Sequence, residues 1–232
     1  MKKLLLLVAI FATTLLSAQT GGYWVQEFKA KHHTENEISE AFDKVYKDVK
    51  MNMGGVSIQK ITAGSQNGMT HRFLLFYMLG VEVMGKSAIN ADKWDAFLSK
   101  MDNYIEELGP TYSGRIINWQ FGDTTNKLSH IWDIKVKDPV KFKAAHDVCL
   151  KELQNEFAGR FVGFGTYDIG RPNGANYWIE ISGKDGEDHL KLYDKLEKSA
   201  GFAKYLQNRG EVIDVKDFEL KDFKTRSNFS KE

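Results

Sequence analysis

Glu27, Arg72, Asp133 and Glu180 are ionisable side chains set out of phase with apolar residues in short alternating runs. Glu27-Phe28-Lys29-Ala30-Lys31 and Asp133-Ile134-Lys135-Val136-Lys137 repeat one pattern, acidic, apolar, Lys, apolar, Lys, at an offset of 106. In a strand, successive side chains point to opposite faces. If Phe28, Ala30, Ile134 and Val136 face covering helices, then Glu27, Lys29, Asp133 and Lys135 face the other way. The same argument puts Arg72, Leu74, Phe76 and Met78 on that second face in one later run, and Trp178, Glu180 and Ser182 in another. Adjacent strands would bring Glu27 to Arg72, where a carboxylate and a guanidinium simply pair. They would bring Asp133 to Glu180, where two enclosed carboxyl groups cannot both ionise cheaply and one becomes a general acid or base. Asp133, Glu180 and Arg72 are therefore the candidate catalytic residues. The competing reading leaves them at strand ends in water or paired with Lys29 and Lys135.

A binding pocket is expected in the second half of the chain. Gly163 and Gly165 alternate with Val162, Phe164 and Thr166, so one strand face loses its side chains where the first copy carries Gln59 and Ile61. Glycine in a strand marks a bulge, a close backbone approach or space for a ligand. With Trp132, Trp178 and Tyr167 beside them, Gly163 and Gly165 form the candidate site for an apolar or aromatic molecule; a bulged strand beside ordinary aromatic core is the plainer account. His32-His33 with Glu35 and Glu37 has no metal-ligand spacing, and no metal site is expected. His146 and His189 are the only candidates for a haem ligand, with no Cys-x-x-Cys-His to support them, and no cofactor is expected. Cys149, the single cysteine, reads as a buried small hydrophobe, so no internal disulfide forms. No phosphate loop, G-x-S-x-G elbow or H-E-x-x-H helix is present.

The elements that would position these residues are also duplicated. In the first half the spacing predicts strand 24–31, helix 35–50 capped by Thr34 and Glu37 and stopped at Gly54-Gly55, a hairpin 56–79 turning at Asn67-Gly68, helix 92–108, and strand 115–121. The second half repeats the order: strand 130–137, helix 139–157, hairpin 161–182 with Asn173-Gly174, helix 188–207, strand 212–220. Asn-Gly between apolar runs predicts a tight turn with positive φ. This βαββαβ order is the ferredoxin-like unit, with both helices on one face of its sheet. The apolar runs 73–79 and 177–181 argue that both faces are covered. The chain thus resembles the dimeric α/β-barrel superfamily with its dimer fused, an α+β fold of two tandem ferredoxin-like βαββαβ repeats whose antiparallel sheets pack face to face. The resemblance implies a pocket inside the barrel or under the helices, and a range of activities that includes cofactor-free monooxygenases and haem proteins.

The chain divides as residues 1–18, a signal peptide; 19–121, repeat 1; 122–129, a linker; 130–223, repeat 2; and 224–232, a polar tail. Residues 1–18 carry two lysines, an apolar run and a small-residue exit, the layout of a cleaved secretory signal, so the protein is expected to be exported, periplasmic or secreted, with no membrane span in the mature chain. Removing Lys2 and Lys3 lowers the basic count from 32 to 30 against 31 acidic residues, which argues against a nucleic-acid partner. Three functions remain open on sequence alone: binding of a small apolar or aromatic molecule with monooxygenase-like chemistry, a non-enzymatic protein-interaction module, and haem binding. The sequence leaves enzyme status and oligomeric state undecided.

Overall fold

The computed structural model describes residues 20–65, 67–84, 89–123 and 125–228; the expected signal peptide lies outside them. The first half contains β1 (Gly21–Ala30), α1 (Glu35–Tyr46), β2 (Gly54–Ala63), β3 (His71–Met78), α2 (Ala91–Met101) and β4 (Ile105–Gln120). The second contains β5 (Leu128–Val136), α3 (Pro139–Glu152), β6 (Val162–Thr166), β7 (Tyr177–Gly183), α4 (Gly186–Glu197), α5 (Ala200–Asn208) and β8 (Val212–Ser227). The eight strands close into one antiparallel barrel in the order β1-β3-β2-β8-β5-β7-β6-β4. Each half supplies a four-stranded ferredoxin-like sheet, β4-β1-β3-β2 and β8-β5-β7-β6, and the inner faces of the two enclose the interior.

Closure depends on β4 and β8, each 16 residues long. The first part of β4 pairs with β1 and its last part with β6; β8 does the same with β5 and then β2. The two long strands thereby satisfy both seams and leave no unpaired edge. Their length exceeds the sequence expectation. Ile105 and Leu108, whose spacing suits a helix, pair instead with Ala30 and Phe28 in β4. Lys224 to Ser227, expected in the polar tail, continue β8 against β2, and Leu128 and Ser129 of the expected linker begin β5.

The register is the same in both halves. Val25 faces Leu74 as Ile131 faces Glu180, and Gln59 faces Arg72 as Gly165 faces Trp178. The seams agree too, with Gln59 opposite Asp222 and Gly165 opposite Ile116. At the hairpins, Gly64, Asn67 and Gly68 have φ of 69°, 53° and 74°, matched by 68°, 49° and 81° at Gly170, Asn173 and Gly174. The Asn-Gly pairs sit at the tips of longer loops rather than in two-residue hairpins, because strand pairing ends at Ala63 and Thr166.

Three apolar clusters follow from strand alternation. Phe42, Tyr46 and Phe97 of α1 and α2 pack with Phe28 and Ile58 on the outer face of the first sheet. Phe142, Cys149, Leu192 and Tyr205 of α3, α4 and α5 pack with Ile134 and Phe164 on the outer face of the second. Tyr23, Val25, Tyr112, Ile131 and Trp178 meet inside the barrel. Truncating a fully buried Phe such as Phe42 or Phe142 to Ala would cost about 3–5 kcal/mol. Burial pushes the Cys149 thiol up to about 11, as expected of a packed, unreactive cysteine. Two local expectations fail for identifiable reasons. Thr34 does not cap α1, because its hydroxyl donates to Lys31 O at 2.8 Å instead. The helix expected over 188–207 breaks where Ser199 accepts from Phe202 N and starts α5 as an N-cap.

Candidate functional site

The barrel encloses a cavity of about 420 Å3, inside the range of about 300–1,000 Å3 usual for small-molecule sites. It reaches the surface where the exposed residues Phe121, Asp123 and Lys127 ring its mouth. Its walls come from the inward alternation of the strands. Tyr23 and Val25 of β1 and Leu74 and Phe76 of β3 form an apolar side, which Ile116 and Trp119 of β4 complete. Opposite them stand Ser129 of β5, Glu180 and Ser182 of β7, and Asp222 and Thr225 of β8.

Duplication makes this asymmetry legible. At the offset of 106, Tyr23 corresponds to Ser129, Leu74 to Glu180, Phe76 to Ser182 and Ile116 to Asp222. At each of these four pairs the second copy carries the more polar or charged side chain. Deeper in, the polarity reverses: Gln59 and Arg72 of the first copy correspond to Gly165 and Trp178.

Arg72 forms the polar floor. Its Nε donates to Gln59 Oε1 at 2.6 Å, while Gln59 Nε2 donates to Asp222 Oδ1 at 2.8 Å. Burial opposes the guanidinium charge, but Tyr112, Glu180 and Tyr167 surround and support it. Glu27 is the register partner of Arg72, yet the expected direct ion pair is replaced by a relay, because the Tyr112 hydroxyl contacts the guanidinium and donates to Glu27 Oε1 at 3.0 Å. In the other half Tyr167 donates to Asp133 Oδ1 at 2.6 Å. Burial holds both tyrosine hydroxyls well above their ordinary range, so they serve as donors.

Burial also raises two carboxyl groups. Asp133, 2% exposed, is pushed up to about 6 by desolvation and by Glu27, against the Tyr167 hydrogen bond, Lys216 and Arg72. Glu180 is raised by desolvation and by Asp222, against Arg72 and the Ser129 hydroxyl. Its remaining exposure is to the cavity it lines. The strand register does not set the two acids directly opposite each other. Asp133 sits opposite Trp178 and Glu180 opposite Ile131, one inward position apart; Arg72 acts on both, while Lys216 and Glu27 act on Asp133 and Asp222 on Glu180.

Arg72, Glu180, Trp178 and Tyr167 therefore line one cavity, with Asp133 behind Tyr167. Trp132 does not join them. It lies one residue out of phase with Asp133, on the helix-covered face, where its ring meets His130 at 3.8 Å and Tyr193 at 5.7 Å. Gly163 and Gly165 give the ligand no direct space either. A Cβ on Gly165 would lie 2.5 Å from the Trp178 ring and one on Gly163 3.0 Å from Phe161, so the missing side chains admit those two rings. The Trp178 indole N–H points toward the Tyr23 hydroxyl without forming a good hydrogen bond, while Tyr23 itself donates to Thr166 O at 2.8 Å. Sequence reasoning missed Tyr23, Tyr112 and Asp222. All three lie beyond the expected limits of their strands, Tyr23 by a single residue.

The residues do not fit a haem. His146, 4% exposed, is packed among Phe142, Phe164 and Tyr205, with ring centroids 4.4 Å apart at Phe164. His189 is wedged against Gly183, and no histidine among the described residues lines the cavity. His32 and His33 lie in an exposed turn, and no metal-binding cluster occurs among the described residues. No described helix is long and apolar enough to cross a membrane.

No protein-family model matches the chain, and no curated protein matches it. Solved structures do. A candidate monooxygenase from Lactobacillus acidophilus NCFM aligns with TM-score 0.62 at 13% identity, over 90% of this chain and 97% of its own. One from Fusobacterium nucleatum subsp. nucleatum ATCC 25586 aligns with TM-score 0.56 at 14% identity, over 91% and 96%. An anthrone oxidase-like protein aligns with TM-score 0.51 at 9% identity, over 93% and 96%. Likeness at these identities speaks to fold alone, and with the closed strand order it shows that the chain has the dimeric α/β-barrel fold, with both halves of the barrel in one polypeptide.

Proposed function

We propose that the protein binds a small aromatic molecule inside its barrel and performs cofactor-independent, oxygenase-like chemistry on it. The observation that carries this reading is Glu180, a carboxyl of raised pKa facing an enclosed aromatic cavity beside a buried arginine. Once ionised, Glu180 takes a proton from an acidic C–H of the substrate, and Arg72 stabilises the oxyanion of the resulting enolate or phenolate. Dioxygen, the co-reactant, adds at the electron-rich carbon, which is oxidised while O2 is reduced to a hydroperoxide. Loss of water then leaves a carbonyl group. Structural likeness to proteins described as monooxygenases supports this reading without carrying their activity over. Export through residues 1–18 belongs to the same proposal and would place the reaction outside the cytoplasm. The test is dioxygen uptake with a panel of activated phenols and ring ketones. Wild type should consume dioxygen with at least one of them, and Glu180→Gln should lower turnover by about 100-fold or more, the usual scale of a lost general base, with a melting temperature no lower than that of wild type. Equal turnover in the variant removes Glu180 as the base.

A further inference from the structure

Charge inside the barrel is unevenly distributed. Glu180 and Asp222 line the cavity, and Glu27 and Asp133 lie beneath it behind Tyr112 and Tyr167. Against these four carboxyl groups stand Arg72 and Lys216, the latter the register partner of Asp133 across β5 and β8. At the mouth, Asp123 and Lys127 add one charge of each sign. Both cations already lie over one interior ring, with Arg72 Cζ 5.7 Å and Lys216 Nζ 4.4 Å from the centre of Phe218. Of the two acids that line the cavity, Glu180 has Arg72 beside it, whereas the side-chain contact of Asp222 is the neutral amide of Gln59. Its counterpart in the first copy is Ile116, so this carboxyl belongs to one side of the cavity only. Across from it stands the aromatic and aliphatic wall of Tyr23, Leu74, Phe76 and Trp119.

We infer that the cavity selects an aromatic ammonium compound, with its ring against the Tyr23–Phe76–Trp119 wall and its ammonium group on the Asp222 carboxylate. A positive charge there satisfies the excess of acid in a space where water is a poor substitute, and aromatic rings add their own attraction for a cation. The inference rests on the functional reading above and deepens it. An ammonium beside Asp222 also lies near Glu180 and favours its ionised form, the form that acts as the base.

The test compares three near-isosteric probes by quenching of tryptophan fluorescence, since Trp119 and Trp178 line the cavity: tyramine, a cation; tyrosol, neutral; and 4-hydroxyphenylacetate, an anion. Tyramine should bind at least about tenfold more tightly than tyrosol, the scale of one hydrogen bond to a charged partner, and the anion more weakly than either. Asp222→Asn keeps an acceptor for Gln59 and should erase the preference for tyramine while leaving tyrosol binding within about threefold. Equal binding of tyramine and tyrosol, preference for the anion, or an unchanged preference in Asp222→Asn overturns the cation proposal and leaves aromatic binding standing. Quenching by none of the three at millimolar concentration overturns both.

Discussion

Replacing Asp133 with Asn should make the protein more stable at neutral pH, although it alters a fully buried, hydrogen-bonded residue. The Asp133 carboxyl titrates at about 6 in the folded chain and near 3.8 when exposed on unfolding. Its folded value is the higher one, so the native state holds the proton more tightly than the unfolded state does. The stability this provides is fully present below about pH 4 and is lost as pH rises through 6. A shift of roughly two units corresponds to about 3 kcal/mol between the protonated and ionised forms. Asn has the same shape, can still accept from Tyr167, and carries no charge to desolvate. Asp133→Asn should therefore gain up to about 3 kcal/mol over wild type at pH 7.5 and almost nothing at pH 4, and its stability should be flatter between them. Urea unfolding at pH 4, 5.5 and 7.5, followed by tryptophan fluorescence, reads the difference directly. Glu180 also titrates, in both proteins, so the comparison between variant and wild type isolates Asp133. A variant less stable than wild type at pH 7.5, or an advantage that does not grow with pH, would refute the argument and show that ionised Asp133 is well solvated or paired.

Gly68→Val and Gly174→Val should each lower stability by about 1 kcal/mol or more, because φ of 74° and 81° strains a β-branched residue although nothing crowds either position; calorimetric melting checks both. Gly165→Ala should cost about 1–3 kcal/mol and displace Trp178, since the new Cβ would lie 2.3 Å from Arg115 O and 2.5 Å from the indole; a loss of stability with a shift in fluorescence maximum is the expected result. N-terminal sequencing of protein recovered from an exporting host should begin at Gln19.

The fold was legible because its signals were local and doubled: an apolar phase in each strand, two helical stripes per half, and Asn-Gly at matching offsets. Strand ends were not, since β4 and β8 extend past their alternation to serve the opposite half, and nothing near Lys224 in sequence reveals β2 as its partner. The candidate residues divide in the same way. Arg72, Trp178 and Glu180 follow from period two within one strand. Trp132 was misplaced because its aromatic character was weighed above its phase, which is that of Ile134 and Val136. The empty face at Gly163 and Gly165 could not be read as filled, because the rings that fill it come from Phe161 and Trp178, and whether a neighbour swings into a gap is a tertiary fact.

A barrel assembled from two identical chains would have to change both walls with every substitution, so a gain on one side would be repeated on the other whether or not it helped. Joining the halves through the segment between β4 and β5 lifts that constraint: Ile116 and Asp222 are now separate genetic positions. A guest can then be told head from tail. The fused chain can present oil to one end of a molecule and charge to the other, and it can revise either without disturbing its opposite.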